Sequence, residues 1–216
     1  MANIKHSGYL TGIITYKKQF FIIVCVLFLL SVIPAAAVAG EATDRIKNTT
    51  DKLIEIVQNK DLDAPEMAEK RARMIRDAVD EVFDWEAFSQ RALSRHWRNR
   101  TPEEKKEFIS LFGKLLERTY MDKTRQYSGE KVDFISEEID GKYGVVKAVV
   151  MTNEKGEVNI EYRVSKEKGT WFVYDVLVEG VSLVNNYRVQ FNDIIMRSSY
   201  EELVKRLKEK LEGIED

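Results

Sequence analysis

Hydrophobic positions recur with a helical period through the first half of this chain and with a period of two through most of the second. Ile46, Leu53, Ile54 and Val57 mark one amphipathic helix, and Met67, Met74, Ile75, Ala78 and Val79 mark a second. A third is expected from about Asp84 to His96. The fourth opens on Thr101-Pro102-Glu103-Glu104, where Thr101 and Glu104 have the spacing of a reciprocal capping box. Pro65 and Pro102 both fall at expected helix starts, where a missing N–H costs little. The stripe Phe108, Leu111, Phe112, Leu115, Leu116, Thr119, Tyr120 then follows i, i+3, i+4, i+7 over three turns.

The period changes after this helix. Val132 to Glu138, Tyr143 to Thr152, Glu157 to Ser165 and Thr170 to Glu179 read as four strands. Asp140-Gly141, Glu154-Lys155-Gly156 and Lys168-Gly169 separate them as hairpin signals. In the third strand Val158, Ile160, Tyr162 and Val164 point in, and Asn159, Glu161, Arg163 and Ser165 point out. The fourth has no polar face, since Trp171, Val173 and Leu177 alternate with Phe172, Tyr174, Val176 and Val178, so it must be covered on both sides. Gly180 breaks that strand. Ser182 is placed to cap a helix whose Leu183, Val184, Tyr187, Phe191, Ile194 and Ile195 recur at helical spacing. A last helix is expected from Ser199 to about Leu211, with Ser199 and Glu202 as a capping box. Helices, consecutive hairpins and helices again specify an α+β fold, with helices wrapped around a curved four-stranded antiparallel sheet. A bent sheet wrapped in this way leaves an internal apolar cavity in its concave face.

The segment ahead of the helices is of another kind. Lys5, Lys17 and Lys18 precede an apolar run from Phe20 to Ile33, Pro34 breaks the run, and Ala37-Val38-Ala39 offers a small-x-small cleavage site before Gly40. A signal peptide over residues 1–39 is expected, leaving one domain over residues 40–216. The alternative is an uncleaved anchor, because Phe20 to Ala39 is about long enough to span a bilayer. Lipoprotein processing does not suit Cys25, which bulky Val24 precedes. The leader holds three of the 34 basic residues and none of the 36 acidic ones, so cleavage leaves 31 against 36, a net charge of −5. It also removes Cys25, the one cysteine, and an exported chain without disulfides relies on its core alone. A mildly acidic chain with no basic run argues against nucleic acid as a partner and against tight electrostatic docking on anionic membranes.

Candidate chemistry is sparse. After residue 39 the sole histidine is His96, a possible base but more plainly a surface or half-buried helix residue. No metal-ligand spacing, nucleophile elbow or phosphate-binding glycine pattern is present, so no catalytic residue, metal or cofactor is expected. Ser128-Gly129-Glu130-Lys131 follows a helix and reads as a turn. Asp175 interrupts the apolar fourth strand, on the face assigned to Trp171, Val173 and Leu177. A buried acid of this kind is a candidate general base. The plainer reading is an Asp bonded to a nearby Arg or Trp beside a strand bend. Asn185, Asn186 and Arg188 either hold polar atoms of a ligand or fix their helix to the sheet.

The block from Trp171 to Phe191, WFVYDVLVEGVSLVNNYRVQF, resembles the C-terminal signature of the MlaC family, also called toluene-tolerance proteins. Upstream, Ala92-Leu93-Ser94-Arg95-His96-Trp97 followed by Thr101-Pro102 is similar to the family's Leu-Gly-x-x-Trp element before a Thr-Pro helix start, with Ser94 where Gly is common. The likeness runs from about Phe83 to Leu211. It implies an NTF2-like core and a non-enzymatic periplasmic carrier that holds phospholipid acyl chains and moves lipid between outer and inner membranes. The implied partners are phospholipid, an outer-membrane lipoprotein–porin complex and an inner-membrane ABC transporter bearing MCE domains, with the carrier a monomer. The expected cavity wall is Val149, Met151, Ile160, Tyr162 and Val173 on the sheet and Leu116, Tyr120 and Leu183 on the helices. Alternatives are a carrier of another lipid such as a hopanoid, an NTF2-like enzyme on a hydrophobic ring with Asp175 as base, and an interaction domain without a pocket.

Overall fold

The computed structural model describes residues 40–124, 129–152 and 156–213. The leader, Tyr127, Ser128 and the turn residues Glu154 and Lys155 lie outside these. Four helices come first: α1 (Glu41–Gln58), α2 (Ala68–Asp80), α3 (Trp85–Leu93) and α4 (Pro102–Thr124). Strands β1 (Lys131–Asp140), β2 (Tyr143–Thr152), β3 (Gly156–Glu167), β4 (Thr170–Val178) and β5 (Val181–Ser182) follow, then α5 (Leu183–Arg197) and α6 (Tyr200–Glu212). The expected caps form. Thr101 Oγ1 accepts from the Glu104 N–H at 3.2 Å while Glu104 Oε2 accepts from the Thr101 N–H at 2.8 Å. Ser182 caps α5 by accepting from the Asn185 N–H at 2.9 Å, and Ser199 caps α6 by accepting from that of Glu202 at 3.2 Å.

The expected third helix stops early. Ser94 takes φ 51 and ψ −125, a region that favours glycine, and the chain continues as a 3-10 helix over Ser94–Asn99 that sends Trp97 into the core. This backbone turn suits the glycine that the family resemblance implies at that place.

The five strands pair antiparallel in the order β1-β2-β3-β4-β5. The sequence reading of four strands ending at Gly180 misses the fifth. Glu179 and Gly180 have φ of 50 and 74, both central residues of a two-residue hairpin, as do Lys168 and Gly169 at 49 and 87. A second departure has larger consequences. Val164 pairs with Val173 but Arg163 pairs with Asp175, so Tyr174 is an extra residue in β4. The bulge turns Asp175 and Leu177 to the face opposite Trp171 and Val173, where unbroken alternation had placed all four together. Ile135 is a similar extra residue in β1. Along the outer edge of β4, the Val173 N–H donates to the Val82 carbonyl at 2.8 Å and the Asp84 N–H to the Val173 carbonyl at 2.9 Å, while β5 covers Leu177 and Val178.

Three buried clusters result. The largest joins α3, α4, α5 and α6, with Phe88, Phe108, Phe112, Phe191 and Leu203 at its centre. The second seats Ala42 and Ile46 of α1 on Val146, Val164, Trp171 and Val173 of the sheet. The third lies between the C-terminal half of α1 and α2. Phe83 packs against both of the first two.

Asp175 locks the sheet to α5. Its side chain is 2% exposed. Oδ2 accepts from the Ser182 hydroxyl at 2.7 Å and from Arg163 Nη1 at 3.4 Å, and Oδ1 accepts from the Val184 N–H at 3.1 Å. The first turn of α5 carries no acid of its own, so this carboxylate is the negative charge that complements its N-terminus. Asp175→Ala strips the acceptor from the buried Val184 N–H and from the part-buried Ser182 hydroxyl and should cost about 2–4 kcal/mol, read by urea denaturation. Ser94→Gly should act oppositely, relieving an uncommon backbone state and stabilising the fold by about 1 kcal/mol, or roughly 2–4 °C in melting point.

Candidate functional site

Register sorts the sheet's apolar residues into rows on one face, the face on which α1 lies. Val164 and Val173, with Gly144 of β2, form a row buried under α1. Gly144 sits in close packing, since a Cβ there would lie 3.0 Å from the Glu138 carbonyl and 3.2 Å from Val164 Cγ2. The next row is Val146, Tyr162 and Val176. Then comes Phe134, Ala148, Ile160 and Val178, and last Val132, Val150 and Val158. Burial falls along this series. Val146 and Ala148 are fully covered, Phe134, Tyr162, Ile160, Val176 and the whole last row are half-buried, and Val178 is exposed. Val132, Val150, Val158, Ile160 and Val178 belong to none of the three buried clusters. The inner face thus carries a contiguous apolar surface that α1 covers at one end only. Burial pushes the Tyr162 hydroxyl up to about 12.

The expected wall residues divide three ways. Ile160, Tyr162 and Val173 share the inner face. Leu116, Tyr120 and Leu183 lie in or against the helical cluster, which packs on β4 through α3 and α5. Val149 and Met151 lie on the outer face. Val149 stands between Asp133 and Asn159, and Met151, 42% exposed, between Lys131 and Glu157. β2 is apolar on both faces, so its parity is hard to assign in isolation, and a slip of one residue exchanges the faces. One signal was available. Lys147 shares parity with Val149 and Met151 and pairs with Glu138 at 2.7 Å in the open. The inner-face residues that sequence reasoning passed over are Val132, Phe134, Val150, Val176 and Val178.

The polar candidates are occupied in holding the structure together. The oxygens of Asp175 accept from Ser182, Val184 and Arg163, the Arg-bonded arrangement beside a strand bend. His96 Nε2 lies 3.1 Å from Asn192 Oδ1, which also accepts from Arg95, so this half-buried ring joins the 3-10 helix to α5. Arg188 Nε donates to the Arg91 carbonyl at 3.0 Å and fixes α5 to α3 rather than to the sheet. Asn185 and Asn186 are exposed. A groove of about 690 Å³ between α1 and the β3–β4 hairpin is lined by Glu41, Asp44, Arg45, Lys52 and Glu81 and is too charged to receive an apolar chain. Lys166 bonds Glu41 there and holds its carboxyl below the usual carboxylate range. Among the described residues no group of His, Cys, Asp and Glu is arranged to hold a metal ion, and no helix is long and apolar enough to cross a membrane.

Known proteins are similar to this chain in sequence and in fold. The chain is 20% identical over 203 residues to the intermembrane phospholipid transport system binding protein MlaC of Haemophilus influenzae, covering 92% of this chain and 95% of that one. It is 24% identical over 180 residues to toluene tolerance protein ttg2D of Pseudomonas putida, covering 80% and 81%. The structure superposes with a TM-score of 0.70 on a phospholipid-binding protein from Ralstonia solanacearum solved in complex with a phospholipid, at 26% identity over 81% of this chain and 99% of that one. The family model for MlaC protein matches residues 47–209. The chain belongs to the MlaC family.

Proposed function

We propose that this protein is a periplasmic phospholipid carrier, exported through cleavage before Gly40 as a single lipid-binding domain. The observation that carries the reading is the apolar surface of the inner face that stays half-covered at Phe134, Tyr162, Ile160, Val176 and the last row, in a fold shared with a protein solved in complex with a phospholipid. Acyl chains lie against Phe134, Val150, Ile160, Tyr162 and Val176.

The physical chemistry of transfer suits such a surface. Each methylene withdrawn from water contributes about 0.8 kcal/mol, so two chains of ~30 methylenes in all represent ~25 kcal/mol, and free phospholipid does not cross the aqueous periplasm. A carrier needs a slot nearly as apolar as a bilayer, and a slot far better than a bilayer would not release its load. Binding of this kind rests on chain volume and leaves the headgroup near water. With a net charge of −5 after cleavage the carrier is not held electrostatically on anionic membranes. Its exchange partners are an outer-membrane lipoprotein–porin complex and an inner-membrane ABC transporter with MCE domains. The relative from Haemophilus influenzae is a phospholipid transport system binding protein, and the three hydrogen bonds that tie Asp175 to Arg163, Ser182 and Val184 support a structural role for this acid.

Organic extraction of protein purified gently from cells, followed by mass spectrometry, should release a diacyl phospholipid. A hopanoid in its place would change the cargo and keep the carrier. Protein that is empty as isolated and takes up nothing from vesicles would end the proposal. Position is tested by a pair of variants. Ile160→Trp should cut lipid load by more than half while the delipidated protein melts within about 3 °C of wild type, about 1 kcal/mol for a chain of this size. Val149→Trp, on the outer face, should leave lipid load unchanged.

A further inference from the structure

We infer that the α-amino group released by cleavage before Gly40 is bound by the carboxylate of Glu137, so that processing completes the attachment of α1 to the sheet. The inference rests on the proposed cleavage and is independent of what the protein carries. Helix α1 begins at Glu41, and its N-cap, Gly40, has no side chain with which to satisfy the first N–H groups. Glu137 supplies the cap from β1. Its Oε2 accepts from the Thr43 N–H at 2.7 Å and from the Thr43 hydroxyl at 2.6 Å. It reaches α1 because it stands on the inner face, paired with Val146.

The carboxyl group is lodged against the backbone of Gly40. A Cβ built at that position would overlap Oε1, Cδ and Oε2 of Glu137. Any close fit at Gly40 is therefore steric and not conformational, since φ −77 and ψ 169 are open to any residue. Bond geometry then places the Gly40 nitrogen within about 4.5 Å of Oε1. In the precursor this nitrogen is an uncharged amide. Cleavage turns it into an ammonium at the positive end of a helix, where a bare cation is unfavourable. Glu137 is positioned to reverse that penalty. The other charges nearby are Asp44 and Glu41 in the first turn of α1 and Lys166 of β3, which bonds Glu41 at 2.6 Å. The residues of β2 and β4 that meet α1 here, Val146, Trp171 and Val173, are uncharged.

An opposite charge at this range raises an amine pKa. The ion pair is complete below the unfolded value of about 7.7–8.0 and is lost as pH rises through the folded one. The test uses protein exported and processed by a Gram-negative host, labelled competitively with acetic anhydride from pH 6 to 10 and read by mass spectrometry of the N-terminal tryptic peptide. The Gly40 amine of the native protein should titrate about one unit above the same amine in denaturant. Glu137→Gln should abolish that shift, and Glu41→Gln should leave most of it. Native and denatured chains that titrate together, or a shift that survives Glu137→Gln, would overturn the ion pair. A peptide starting at a residue other than Gly40 would overturn it at the cleavage step, and an undiminished phospholipid content in that same sample would leave the carrier reading standing.

Discussion

The register between β3 and β4 is the constraint on which the rest of this structure hangs. With Tyr174 as an extra residue, Trp171 and Val173 point to the inner face and Asp175 and Leu177 to the outer. The first pair joins the sheet to α1. Asp175 joins it to α5 through the Ser182 hydroxyl and the Val184 N–H. Without the bulge all four side chains would face one way. The carboxylate would then sit among the residues that pack under α1, where a charge without partners costs several kcal/mol. One inserted residue thus lets a strand with no polar face serve two different packing surfaces and keeps a buried charge paired.

That arrangement explains why the inner face is only partly covered. Helix α1 crosses one end of the sheet, held there by Ala42 and Ile46 below and by Glu137 and Lys166 at its first turn. The helical cluster is seated on β4 from the side through α3 and α5. Neither fully covers Phe134, Ile160, Val178 or the last row. A sheet face of Val, Ile and Phe left half-wet is ordinarily a liability, since covering each side chain would contribute about 1.5–3 kcal/mol. In the proposed lipid carrier it is the surface against which the acyl chains are placed, and the stability given up by leaving it half-covered would be available to a ligand.

The polar groups that looked chemically interesting turn out to serve the frame around that surface. Asp175, His96 and Arg188 each tie one element to another. Their hydrogen bonds run to other elements of the fold. This is the expected economy of a binding protein whose cargo offers chiefly methylenes. Position and coverage of apolar groups carry the function, and polar groups hold those positions in place.

Much of this was legible in the chain alone. Helix and strand periods, the capping residues Thr101, Ser182 and Ser199, the two-residue turn at Lys168-Gly169 and the family likeness are local patterns, and local chemistry decides them. The inward set of β3 was legible for the same reason, because Asn159, Glu161 and Arg163 mark the other face. Three features were decided only by tertiary structure. The fifth strand exists because Glu179-Gly180 closes a hairpin that needs β4 beside it. The parity of β2 is written on both faces in apolar residues and is set by its neighbours, which moved Val149 and Met151 outward. The face taken by Asp175 depends on a bulge, and a bulge is fixed by the summed packing of Val173 on Val164 and of Asp175 on Ser182 and Val184. Hydrophobic pattern specifies which residues avoid water. Only the completed sheet specifies from which side each is covered, and which are left for a ligand to cover.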